Sequence, residues 1–109
     1  RDAVREYVRI AADPRRFGLT LDYQASYPEG LPRIAARLDE VTVPVLLPWG
    51  VEDPFVRMEE GERLAAALPN ATWAPLDRCG HFAHEDAGGR FVELLAQWHA
   101  TAVAAPAAR

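Results

Sequence analysis

The stretch Val43-Pro-Val-Leu-Leu-Pro-Trp-Gly-Val-Glu-Asp-Pro-Phe-Val56 decides the reading of this 109-residue chain. Val41 to Leu47 is a nearly continuous β-branched and aliphatic run. Such a run suits a strand covered on both faces, as in a parallel sheet. Pro44 belongs near the strand's beginning, where a missing N–H is tolerated. Past the run, Gly50 lets the chain leave the strand and Pro54 prevents it from continuing. Asp53 therefore stands at the carboxyl end of a strand, where open α/β sheets place their ligands.

Working outward, a second apolar run, Ala71 to Leu76, leads into Cys79-Gly80-His81-Phe82. A helix is expected between the runs, from about Met58 to Leu68. Glu59, Glu60 and Glu62 sit in its first turns, where the helix dipole favours acids, and Pro69-Asn70 ends it. An acid and a histidine thus leave the ends of consecutive strands. Such a pair can orient an imidazole and make it a general base. Each residue also has an ordinary use: Asp53 as a turn or capping aspartate, His81 as a loop histidine. Taken together, the two fit one constellation.

Upstream, Val4, Tyr7, Val8 and Ala11 recur at helical spacing within residues 2–11. Residues 13–32 carry Pro14, Gly18, Pro28, Gly30 and Pro32, which predicts a connector with one short helix around Leu19 to Ala25. Leu31, Ile34, Ala35 and Leu38 share a face of a further helix over residues 31–39. Residues 88–102 form the last helix, with Phe91, Val92, Leu95 and Trp98 inward, and an alanine-rich, frayed tail follows. Strands alternating with helices define an α/β class with a parallel sheet. Two strands make a poor core by themselves, so further strands are expected from an upstream part or a second chain.

Composition narrows the partners. Half the residues are hydrophobic and the net charge is −4, with no basic stripe, so nucleic acid is not an expected partner. No apolar run reaches membrane-spanning length and no secretory pattern opens the chain, so a cytoplasmic location is expected. The single Cys79 excludes an internal disulfide.

Residues 41–100 resemble the C-terminal part of the α/β-hydrolase family. Val43 to Val56 is similar to its penultimate core strand and acid loop. Met58 to Leu68 and Pro69-Asn70-Ala71 are similar to the following helix and the lead into the last strand. Cys79-Gly-His-Phe-Ala-His-Glu-Asp86 is similar to the loop carrying the catalytic histidine, and Phe91 to Trp98 to the closing helix. Residues 1–40 resemble more loosely the end of the variable cap and the return helix. The resemblance implies a division into a cap end and connector (1–30), the rear of the hydrolase core (31–103) and a tail (104–109). It implies two parallel strands with flanking helices, preceded by the end of a helical cap.

By the same resemblance Asp53 is the triad acid and His81 the triad base, acting on a small, fairly apolar ester or related substrate. Neither metal nor organic cofactor is implied. Trp49, Phe55, Phe82 and Tyr23 are candidate pocket residues, with core packing an equal alternative. The sequence departs from the family in lacking its nucleophile elbow, G-x-S-x-G or an aspartate variant, and the glycine-rich oxyanion loop. Ser26, the only serine, has neither glycines nor a strand before it and is rejected as nucleophile. A missing serine implies acyl transfer; a missing aspartate implies the route of haloalkane dehalogenases and epoxide hydrolases. Glu52 reads as a solvated turn residue, and Glu85 or Asp86 as a cap for the last helix. The spacing of His81, His84, Glu85 and Asp86 matches no usual zinc pattern. Cys79 reads as an inert packed thiol. The competing reading is a non-catalytic module that self-associates, as a homodimer, through an open sheet edge.

Overall fold

A computed structural model describes residues 2–103, with side chains from 4 to 102. The frayed tail expected over 104–109 lies outside the described residues. The chain forms two compact units, Arg1–Arg37 and Leu38–Arg109.

The first unit is helical. α1 (Asp2–Ala11) follows the expected spacing. The connector expected over 13–32 is instead two helices, α2 (Pro14–Ala25) and α3 (Tyr27–Ala35). Proline position explains the difference. Pro14 falls in the first turn of α2, where its missing N–H costs nothing. Asp13 caps that turn, its Oδ1 accepting from the amides of Arg15 (3.0 Å) and Arg16 (3.3 Å). Pro28 lies likewise in the first turn of α3, and only Pro32 is interior. The helix expected over 31–39 stops at Ala35, and Leu38–Glu40 forms a separate 3-10 turn. α1 packs on α2, and α2 on α3.

The second unit holds the sheet. β1 (Val45–Gly50) pairs in parallel with β2 (Ala71–Leu76), with Val45 opposite Ala71 and Gly50 opposite Leu76. α4 (Met58–Ala67) makes the crossover. β2 matches the sequence reading, whereas β1 begins at Val45, inside the Val41–Leu47 run, and continues through Trp49 to Gly50. Pro44 has no N–H to give, so the ladder opens with Val45 N–H to Asn70 C=O, 3.0 Å. The Asn70 side chain donates to Thr42 C=O at 2.6 Å and ties the two strand entrances together.

Pro48 and Pro75 lie inside strands, yet the ladder is not broken. The amides of Val45 and Val51 donate across to the carbonyls of Asn70 and Leu76 respectively. Strand alternation then turns Pro48 and Pro75 away from the shared ladder.

Trp49 and Trp73, diagonal neighbours across the two paired strands, meet at 5.7 Å between ring centroids. α4 comes down on them at Gly61. A Cβ there would stand 2.5 Å from the Trp73 ring and 2.7 Å from the Trp49 ring, so only glycine lets the helix sit this close.

β2 is followed by a short helix α5 (Ala83–Asp86) and then α6 (Gly88–Trp98), which ends in a π-helical turn, His99–Val103. Leu76, Cys79 and Ala87 form the buried cluster, with Ala83 and Leu94 packed against it. The inward face of α6 therefore includes Leu94. Val92 and Leu95, expected inward, are exposed. Ala87 and Leu94 are seven residues apart, on one helical stripe, and that stripe excludes both.

Candidate active site

The strand ends bring Asp53 and His81 together. β1 stops at Gly50, and Val51 and Glu52 form the turn that delivers Asp53. Its carboxylate is shared between two jobs. Oδ1 accepts from the amides of Phe55 (2.8 Å) and Val56 (3.0 Å), which locks the turn. Oδ2 meets His81 Nδ1 at 2.8 Å. The turn role and the pairing role weighed in the sequence are thus both filled by one side chain.

Burial alone would raise the Asp53 pKa. The hydrogen bonds from His81, Val56 and Phe55 outweigh it, and the carboxyl lies below its ordinary value. An ionised carboxylate has no proton to give, so Nδ1–H is the donor and Nε2 is the ring nitrogen left over. The Asp53 side chain is 7% exposed, the His81 side chain 38%. A shielded acid beneath an accessible imidazole is the order a general base requires.

The two loops are fitted to each other through their backbones. Glu52 N–H donates to Cys79 C=O at 2.9 Å. Gly50 lies so close to the Cys79–Gly80 backbone that a Cβ on it would collide with both carbonyl oxygens. Gly50 has no positive φ. Its use is therefore space for the histidine loop, and not the sharp exit from the strand expected from sequence. On the other side of the loop, Arg78 takes a left-handed conformation (φ 52°), and Arg90 donates to Asp77 C=O at 2.8 Å. Cys79 is 1% exposed, and burial above all, with the Asp86 charge, raises its thiol pKa. It is a packed, protonated thiol.

The remaining candidates separate clearly. Phe55 and Phe82 stand edge-on to the His81 ring at 5.3 and 5.2 Å. Trp49 donates its indole N–H to Val56 C=O at 3.1 Å, so it braces the acid turn while also lining a cavity of about 150 Å³. That cavity also takes in Pro48, Asp53, Val56, His81 and Ala83. Tyr23 belongs to the helical unit, where it meets Tyr27 edge-on at 5.1 Å beside a smaller cavity of about 90 Å³. Ser26, in the same unit, donates its hydroxyl to Tyr23 C=O at 2.6 Å. Neither Glu85 nor Asp86 caps α6, whose N-terminus has no side-chain cap. Asp86 Oδ2 accepts from Gly80 N–H at 2.9 Å instead. The G-H-x-x-x-x-D spacing was visible in the sequence, but a one-turn helix between loop and α6 was not. Among the described residues no cluster of three or more His, Cys, Asp or Glu could hold a metal ion. No described helix is long and apolar enough to cross a membrane.

An acid and a histidine on consecutive parallel strand ends, with a crossover helix between and a helix closing behind, define the rear of an α/β-hydrolase sheet. The comparisons agree. The chain is 38% identical over 96 residues to a 2-hydroxy-6-oxononadienedioate/2-hydroxy-6-oxononatrienedioate hydrolase of Cupriavidus pinatubonensis, covering 87% of the chain and 28% of that protein. The corresponding hydrolase of Paraburkholderia phymatum is 40% identical over the same length, with the same coverage. A 2-hydroxy-6-oxo-6-phenylhexa-2,4-dienoate hydrolase of Burkholderia cepacia is 38% identical over 60 residues, 52% of the chain and 21% of the relative. The crystal structure of an alpha/beta hydrolase enzyme from the sediment metagenome of the Mar Chica lagoon, Morocco, superposes with a TM-score of 0.66 at 25% identity. It covers 86% of this chain and 42% of that one. No protein-family model matches. The chain belongs to the α/β-hydrolase family and spans little more than a quarter of the length of these curated relatives.

Proposed function

We propose that this chain supplies the acid and the histidine of a nucleophile–histidine–acid hydrolase, with the nucleophile contributed from outside residues 1–109. The observation that carries the reading is the 2.8 Å contact between His81 Nδ1 and Asp53 Oδ2, made by a carboxyl whose pKa is lowered. With Nδ1–H held by the carboxylate, His81 Nε2 takes the proton of an attacking hydroxyl as it adds to a carbonyl carbon. The imidazolium that results is stabilised by Asp53, which stays ionised. The same nitrogen then returns the proton to the leaving group, and water repeats the cycle to release the product.

The substrate class is read from the relatives. Their names specify a 2-hydroxy-6-oxo-dienoate, a chain with a ketone and carboxylates and no ester. The proposed substrate is accordingly an open-chain oxo-dienoate cleaved beside its ketone carbon. An ester is the broader reading of the fold resemblance and shares the electrophilic carbonyl. Phe55 and Phe82 flank His81 and would pack against the planar, conjugated part of such a substrate. Trp49 would close one wall.

The test uses the intact protein, assayed with a 2-hydroxy-6-oxo-dienoate and with an activated phenyl ester. Turnover of the dienoate that disappears in His81→Ala supports the proposal. Near-normal activity in that variant overturns the triad assignment, and turnover of the ester alone overturns the substrate class. Turnover of neither, by a chain that sediments as a stable dimer, favours the non-catalytic module. Asp53→Asn should keep the fold while turnover falls on the order of 10⁴-fold, because the imidazole is then held in the wrong tautomer.

A further inference from the structure

We propose that Asp86 is a positioning residue for His81, acting through the peptide that joins Cys79 to Gly80. That peptide is held at both ends. Its carbonyl, on Cys79, accepts from Glu52 N–H at 2.9 Å. Its amide, on Gly80, donates to Asp86 Oδ2 at 2.9 Å. The peptide unit is planar, so two bonds on opposite edges fix its orientation, where one bond would leave it free to rock.

The location is what gives the clamp its effect. Gly80 immediately precedes His81, and glycine is the residue with the widest choice of φ and ψ. An unclamped peptide at this point would pass its freedom directly to the histidine. A Cβ on Gly80 would sit 3.0 Å from Asp86 Oδ2, so the carboxylate would have to give by a few tenths of an ångström to admit one. Close approach of the carboxylate and control of the glycine are therefore one design.

Asp86 is itself held by the same loop. Its own amide donates to Phe82 C=O at 2.9 Å, closing the single turn of α5. The chain from Gly80 to Asp86 is thus a loop tied back to its own start. The acid turn holds the other edge of the clamped peptide through Glu52, so both halves of the Asp53–His81 pair converge on it. A carboxylate makes a stronger acceptor for an amide than a neutral oxygen does.

The inference concerns the same site as the proposed function and rests on that reading only for its kinetic arm. The variants are Asp86→Asn, which keeps an acceptor oxygen, and Asp86→Ala, which removes it. Asp86→Leu keeps bulk without an acceptor and replaces the alanine variant if that one does not fold. The first readout is the ¹⁵N shift of the two His81 ring nitrogens, which reports which of them carries the proton. The unsubstituted protein and Asp86→Asn should show a Nδ1–H imidazole, and the variants without an acceptor should shift toward Nε2–H. The second readout is turnover: a fall in kcat on the order of 10²-fold without acceptor, as for a misplacement of about 1 Å, with KM unchanged and with recovery in Asp86→Asn. Unaltered ring-nitrogen shifts in a folded variant without acceptor overturn the proposal, whatever the activity. A protein with no hydrolase activity in its unsubstituted form refutes the proposed function instead, and the nitrogen shifts still decide Asp86.

Discussion

Gly50→Ala should be among the most damaging methyl additions available to this protein. The added Cβ would lie 2.8 Å from the Cys79 carbonyl carbon and closer still to the carbonyl oxygens of Cys79 and Gly80. Real Cβ atoms essentially never approach within 3.0 Å, and backbone cannot swing aside as the tip of a flexible side chain can. Something must move, and the candidates are the end of β1 or the loop carrying His81. Overpacking of this kind costs about 1–3 kcal/mol. Displacing the loop also breaks the Glu52 N–H to Cys79 C=O bond, worth about 0.5–1.5 kcal/mol. The expected loss is therefore about 1.5–4.5 kcal/mol, read by urea unfolding as a fall of the midpoint of about 0.8–4.5 M for a slope near 1–2 kcal/mol/M. Gly89→Ala is the control. Nothing lies within 4 Å of a Cβ there, and in the helix α6 alanine should stabilise by about 0.5–1 kcal/mol. The same chemical change should thus have opposite signs at two glycines of one unit. An unchanged midpoint in Gly50→Ala, with the His81–Asp53 pairing intact by NMR, would refute the close-approach reasoning.

Three further outcomes are expected. Gly61→Ala should lower the unfolding midpoint by an amount corresponding to about 1–3 kcal/mol, because its methyl meets the Trp49 and Trp73 rings, and the tryptophan fluorescence should change with it. Asp53 has a folded pKa below its ordinary value, so it contributes stability above about pH 4, and that contribution is lost as pH falls through the lower folded value. Unfolding midpoints measured from pH 6 down to pH 2 should drop more steeply in the unsubstituted protein than in Asp53→Asn. Cys79 should resist thiol reagents in the folded protein and react at once in denaturant, since it is buried and its pKa is raised; rapid labelling without unfolding would contradict the packing described here.

Much of this molecule is legible along the chain because its rules are local. Ala71 to Leu76 reads as a strand and is one, and Met58 begins a helix with Glu59 and Glu60 where the dipole favours them. Asp53 and His81 stand out because each follows an apolar run directly. Where the reading failed, a local signal was correct in kind and wrong in consequence. Pro14 and Pro28 read as breaks in helical structure, yet both fall in first turns, where proline is at home. Val92 and Leu95 are apolar at helical spacing, but the buried stripe of α6 is chosen by where Ala87 and Leu94 meet the core.

What the sequence determined alone is therefore the two strands with a helix between them, and which two ionisable groups would stand past their ends. Those depend on side-chain periodicity, proline and glycine, which act within a few residues. Tertiary structure alone decided that the two groups meet at 2.8 Å, that Gly50 exists for another loop and not for its own turn, and that Asp86 holds Gly80. The first two are contacts between segments whose spacing in three dimensions is set by the parallel pairing of β1 with β2, and no local pattern encodes a distance across that pairing; the third depends on α5 folding the loop back on its own start.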